Sequence, residues 1–242
     1  MLGFDRRLSD NTWLSLAANH VDLNDKPVNL DGNPTDSSSQ FASVALSHEI
    51  GQWNLSLGVD HWKVEGDDLV STDITGGIYY RFEKWSLGVD LVRRDTTLRF
   101  TVPATGRQLS DDVVGNGYGL GASYSPNDAW YFFGSYMEYN YDGQVIKRPA
   151  YDVFSRFSFT ADDSLLDHNL VLGADYYWDR YSIGFYASEY RSAFDSLATL
   201  VYNLSGKILL SENVDMQLNV GGTRPDGAED SVYGGVGFSF YW

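Results

Sequence analysis

The sequence predicts an all-β fold, a transmembrane antiparallel up-and-down β-barrel of about twelve strands. Three observations predict it. Segments of about ten to thirteen residues alternate apolar with small or polar side chains, the period-two pattern of a strand with one face in an apolar medium. Tight turns alternate along the chain with longer loops rich in Asp, Asn, Gly, Pro and Ser, as in barrels whose hairpins open on two different compartments. Aromatic residues flank the short turns (Trp53, Phe82 with Trp85, Trp130, Trp178 with Tyr181), which places one interfacial girdle on that side. A soluble β-sandwich also alternates, but it does not point apolar residues outward on nearly every strand or sort its loop lengths by side.

Residues 1–11, with Arg6, Arg7 and the turn Ser9-Asp10-Asn11, read as a lead-in or the remnant of a linker, so the barrel is expected over 12–242. Thr12–Leu23 sets Leu14, Leu16 and Ala18 against Ser15, Ala17 and Asn19, and the polar stretch Asn24–Ser39 follows as a long loop. Gln40–His48 returns to a turn near Glu49–Gln52. Trp53–Trp62 alternates most clearly, with Trp53, Leu55, Leu57 and Val59 on one face and Asn54, Ser56, Gly58 and Asp60 on the other. After the charged loop Lys63–Ser71 come Thr72–Phe82, the turn Glu83-Lys84 and Trp85–Arg94. Asp95–Asp112 reads as a long loop. Val113–Ser125 carries a row of Gly117, Gly119 and Gly121, and Trp130–Tyr141 is aromatic on both faces.

Tyr151–Thr160 also alternates, but a wall strand there would invert everything after it. Asp142–Asp167 is therefore expected to be a large extracellular loop holding an extra strand or hairpin. His168–Trp178, Tyr181–Tyr190, Leu197–Leu210 and Val214–Thr223 continue the wall, and Ser231–Trp242 closes it. Ser56-Leu-Gly-Val-Asp60 recurs as Ser86-Leu-Gly-Val-Asp90 and loosely as Val171-Leu-Gly-Ala-Asp175, an echo that hairpin duplication or a shared demand for small inward residues explains.

The closing strand carries Val232, Gly234, Val236, Phe238, Phe240 and Trp242 on one face and Tyr233, Gly235, Gly237, Ser239 and Tyr241 on the other, and the chain stops on an aromatic residue. This resembles the C-terminal strand of bacterial outer-membrane β-barrels, a porin-like and translocator class. The resemblance implies an outer-membrane location in a Gram-negative envelope. It also implies contact with outer-membrane lipid and lipopolysaccharide, and an assembly signal at Phe238, Phe240 and Trp242 read by the barrel assembly machinery.

The 242 residues contain no cysteine, which leaves no disulfide framework and no thiolate metal site. Aromatics make up 15% of the chain, with 17 Tyr and 24 Gly, the mix of a barrel with interfacial belts. Mean hydropathy is −0.29 because each strand carries a polar face, and no run approaches the ~18 apolar residues of a membrane helix. A net charge of −16 and a pI near 4.4 argue against nucleic acid and against electrostatic binding to anionic lipid. Loop solubility accounts for such a charge, and so does an acidic pore. No secretory signal precedes the first strand, so the expectation is a mature protein or a barrel taken from a longer chain.

By parity the pore-lining set is Asp60, Asp73, Asp90, Asp175 and Asp215, with Arg81, Arg94 and Lys207 as opposing charges, and with Tyr79, Tyr177, Tyr186 and Tyr190 narrowing the lumen or offering a stacking surface. Charges in a water-filled barrel set ion preference, whereas charges paired across the wall stiffen it. No enzyme is expected. Ser47 and His48 are neighbours on a strand and point to opposite faces, so they do not form a nucleophile–base pair. No Cys/His cluster or EF-hand loop appears, and no metal or other cofactor is expected. The function expected is a channel for ions or small polar solutes, with cations preferred. The alternatives are the C-terminal translocation barrel of a larger polysaccharide or protein exporter, working with periplasmic partners, and a structural or adhesive barrel.

Overall fold

The computed structural model describes residues 2–23, 37–65, 69–102, 107–142, 165–193, 196–211, 214–227 and 230–240. They form one sheet of thirteen strands in sequential order, every neighbouring pair antiparallel. The strands are β1 Leu2–Ser9, β2 Thr12–Leu23, β3 Ser37–Ile50, β4 Trp53–Glu65, β5 Leu69–Arg81, β6 Trp85–Val102, β7 Arg107–Asn127, β8 Trp130–Tyr141, β9 Leu166–Trp178, β10 Tyr181–Ser192, β11 Ala198–Ser211, β12 Val214–Pro225 and β13 Ser231–Phe240.

Several features differ from the sequence reading, among them that 63–65 and 69–71 of the expected loop Lys63–Ser71 belong to β4 and β5, and that 37–39 of the expected loop Asn24–Ser39 belong to β3. Residues 2–9 are not a lead-in but a paired strand, with Leu2 opposite Ala18 and Arg7 opposite Trp13. They raise the wall from about twelve strands to thirteen. The stretch Asp95–Asp112 is largely not a loop: β6 and β7 stay paired up to Val102 opposite Arg107. Their hairpin runs past β8, whose pairing with β7 starts at Gly115. Of the expected loop Asp142–Asp167, residues 143–164 lie outside the described residues, and β9 starts at Leu166, two residues earlier than the periodicity predicts.

Strict alternation of direction puts the connections β1–β2, β3–β4, β5–β6, β7–β8, β9–β10 and β11–β12 at one end, each only two or three residues long. Two of the tightest use positive φ, at Gly51 (61°) and Asp179 (43°), the left-handed conformation that glycine and, less readily, Asp tolerate. The other end carries connections of three to 24 residues, most of them longer than any at the first end. β1 and β13, the two edges of the sheet, run in the same direction because the strand number is odd.

The two faces differ sharply in exposure. Leu57 (60%), Leu120 (64%) and Val236 (63%) stand bare on one face, whereas Asp215 (1%) and Asn203 (6%) are covered on the other. A sheet one layer thick crowds its side chains only on a concave side, so the polar face is the inner one. Among the described residues there is no sheet-on-sheet core; the apolar face is turned outward, as a lipid-facing wall requires.

On this outer face the short-turn end carries a run of touching rings. Trp53–Tyr80 (4.7 Å) and Tyr80–Phe82 (4.8 Å) begin it. It continues through Trp85–Tyr124 (4.2 Å), Tyr124–Phe132 (6.4 Å), Phe132–Trp130 (5.5 Å) and Trp130–Tyr176 (4.7 Å), and ends with Tyr176–Trp178 (5.3 Å) and Trp178–Tyr181 (5.8 Å). Toward the other end the same face turns polar at His61, Arg93, Glu138 and His168. From Trp85 to Arg93, β6 rises about 26 Å, or about 20 Å along the normal at a tilt of ~40°, close to the apolar band of an outer-membrane barrel.

Candidate functional site in the lumen

The inner face is built by the residues that alternate with the lipid-facing set. All the pore-lining candidates fall on it, and cross-strand register decides which of them meet. One row reads Ser43, Asp60, Asp73, Arg94, Gly115, Tyr141 from β3 to β8. Within it Arg94 donates from Nε to both oxygens of Asp73 (2.9 and 3.0 Å) and from Nη2 to Oδ2 (2.5 Å). Both side chains are largely covered, at 13% and 14% exposure. The guanidinium also lies 5.0 Å from the ring centroid of Tyr139, a cation–π arrangement.

Lys207 reaches Asp215 at 2.5 Å, and the carboxylate is almost wholly buried. Arg81 is bound by Glu49 at 3.0 Å, a partner outside the expected set. Arg7 is also on this face, beside Asp10 at 3.3 Å and 5.9 Å from the Trp13 ring. Asp90 accepts a hydrogen bond from the Tyr79 hydroxyl, and Asp175 accepts one from Tyr177 at 3.4 Å. Tyr186 lies opposite Gly173 on one side and Asn203 on the other. Tyr190 lies opposite Asn169 and Thr199. Of the assembly-signal residues, Phe238 is on the outer face at 56% exposure, Phe240 ends β13 opposite Val214, and Trp242 lies outside the described residues. His48 bonds Thr12 Oγ1 at 2.9 Å, and Ser47 is on the other face.

Sequence reasoning passed over the inner face of β8. Tyr131, Phe133, Met137, Tyr139 and Tyr141 all point inward there, and their neighbours across β7 and β9 include glycines. A Cβ at Gly115 would stand 2.5 Å from Tyr141, one at Gly117 2.9 Å from Tyr139 and one at Gly119 2.7 Å from Met137. These side chains therefore lie across the glycines of the neighbouring strand. The signal was present, in a strand aromatic on both faces beside a strand with glycine at every second position.

No protein-family model matches this chain, and no curated protein matches it. Solved structures do. A Pseudomonas aeruginosa FadL homologue superposes with a TM-score of 0.65 at 13% identity, over 96% of this chain and 78% of that one. KdgM porin gives 0.51 at 12% identity, over 95% and 99%. The outer membrane protein OpdK from Pseudomonas aeruginosa gives 0.50 at 12% identity, over 98% and 68%. The chain has the fold of the outer-membrane β-barrels. At such identities the likeness extends to the fold alone, and the activity has to be argued from the inner face.

Proposed function

We propose that this chain forms a narrow, cation-preferring channel for ions and small polar solutes in the bacterial outer membrane. The lipid-facing band, the ring belt and the barrel fold support the location. One observation carries the ion preference. Among the described residues, four basic side chains on the inner face have a carboxylate partner: Arg94 with Asp73, Lys207 with Asp215, Arg81 with Glu49 and Arg7 with Asp10. Among the described residues Asp60, Asp90 and Asp175 stand on the same face without a basic partner, and Asp90 and Asp175 accept hydrogen bonds from phenol hydroxyls. A carboxylate inside a narrow aqueous passage acts at reduced dielectric and attracts cations more strongly than one in open solvent.

The test is reversal potential in planar bilayers under a KCl gradient. The parent is expected to prefer K⁺. The triple variant Asp60→Asn, Asp90→Asn, Asp175→Asn should shift toward anions. Asp128→Asn with Asp142→Asn, at connections between strands and screened over about 8–10 Å of salt solution, should shift little. Equal shifts would place selectivity at the mouths, and a parent without conductance would sink the channel reading in favour of an export or structural barrel.

A further inference from the structure

Tyr139 and Asp73 already hold a cation of the chain itself, the Arg94 guanidinium, between a ring face and a carboxylate. The same two groups recur nearer the short-turn end. Tyr131 on β8 and Asp175 on β9 are direct cross-strand partners on the inner face, which brings their Cβ atoms within about 4.5–5.5 Å. Tyr131 stacks on Phe133 at 5.7 Å and 28°, so the wall presents an aromatic surface two rings long. Phe133 is pressed across Gly173, and the Asp175 carboxylate lies over Gly184 beside Ser205. Phe133 and the Asp175 carboxylate are thus each accommodated by a neighbouring glycine. Tyr131 also lines, with Asn54, Tyr79, Ser86 and Ser123, a cavity of about 370 Å³. Arg81, bound by Glu49, also lines the cavity, as do Glu83 and Lys84 of the adjoining turn.

We infer that Tyr131 and Asp175 form a subsite for a guanidinium-type organic cation, with the ring beneath the cation and the carboxylate beside it. The inference rests on the channel reading and names a solute class for it. A guanidinium is planar, weakly hydrated and able to use both groups at once, by stacking on the ring and donating to the carboxylate. Hydrated K⁺ gains little from a ring face, an anion is repelled by Asp175, and a neutral sugar draws nothing from its charge.

The probe is ethylguanidinium chloride, added to the parent protein carrying KCl current in a planar bilayer, with glucose and sodium propionate as comparisons. Ethylguanidinium should reduce the current in a concentration-dependent way, and the other two should not. Tyr131→Leu and Asp175→Asn should each raise the half-blocking concentration about tenfold, while Tyr118→Leu on the lipid face should leave it where it was. Circular dichroism of each variant in detergent shows whether it has folded. A conducting, cation-preferring parent that ethylguanidinium does not block overturns the inference and spares the channel reading, and so does a block that Tyr131→Leu leaves intact. A parent without conductance fails the channel reading instead. Calorimetric titration of ethylguanidinium into the detergent-folded protein then decides the subsite, since no binding, or binding unchanged in Asp175→Asn, overturns it.

Discussion

Asp60 and Asp73 face each other directly across β4 and β5 on the inner wall. Like charges at directly opposed positions repel, and the next residue in the row, Arg94, is what allows the arrangement. Its guanidinium takes both oxygens of Asp73 and leaves Asp60 to the lumen. Asp73 and Asp60 therefore have opposite effects on stability. Asp73→Asn takes the carboxylate away from a largely covered guanidinium and should cost about 3–5 kcal/mol. Asp60→Asn removes a repulsion and should be neutral or slightly stabilising. Urea unfolding of protein folded in detergent micelles separates them, and similar midpoints for the two variants would mean that Arg94 does not discriminate between the carboxylates.

Leu57 and Ser56 are chain neighbours on opposite faces, and the outward one is bare at 60% exposure. Leu57→Arg puts a charge into the lipid-facing band near mid-strand, at a cost of roughly 2–4 kcal/mol, and should reduce the folded fraction recovered in lipid vesicles. Ser56→Arg points into the lumen and should be recovered nearly as well as the parent. The reverse order would mean that the two faces are assigned the wrong way round.

Wall parity was legible because lipid selects one face of every strand for apolarity, whatever its neighbours. β1 was not, because its eight residues carry Asp5, Arg6 and Arg7 and so look like a linker; what makes them a strand is pairing with β2. The upper hairpin of β6 and β7 was missed for a related reason. Beyond the apolar band, backbone pairing continues without any need for an apolar face, so the period-two pattern fades before the strands end. In the lumen, parity places a carboxylate on the inner face but does not name its partner. That Asp60 meets Asp73 depends on the connection at 66–68, which periodicity does not measure. Glu49 as the partner of Arg81 is hidden in the same way, since the sequence reads as a turn near Glu49–Gln52.

The two ends of the sheet should lie on opposite sides of the membrane. Lys84 is in a short turn, and Asp226 is in a longer connection at the other end. The chain has no cysteine to interfere. A membrane-impermeant maleimide on intact cells should label Asp226→Cys and should label Lys84→Cys only after the outer membrane is opened. Labelling of Lys84→Cys alone in intact cells would invert the topology.

Gly88 is one of the tight fits on the inner wall. The Tyr79 ring lies across it on the way to Asp90, and an added Cβ would press on that ring and stand 2.6 Å from the Ile78 carbonyl oxygen. A side chain can swing aside, but a strand carbonyl within the ladder cannot. Gly88→Ala should therefore cost about 1–3 kcal/mol through overpacking and should also lift the ring off the wall into the passage. Gly121→Ala meets the same tyrosine from the far side, at 2.7 Å from its hydroxyl and 2.9 Å from Cε1, and meets no backbone atom among its three nearest neighbours. It should move the ring at little cost in stability. Both variants should lower single-channel conductance, and only Gly88→Ala should lower the urea midpoint appreciably. Adding Tyr79→Ala to Gly121→Ala should restore conductance, because the displaced ring is then gone. If conductance stays low in that double variant, the loss lies in the wall itself and not in the ring that leans on it.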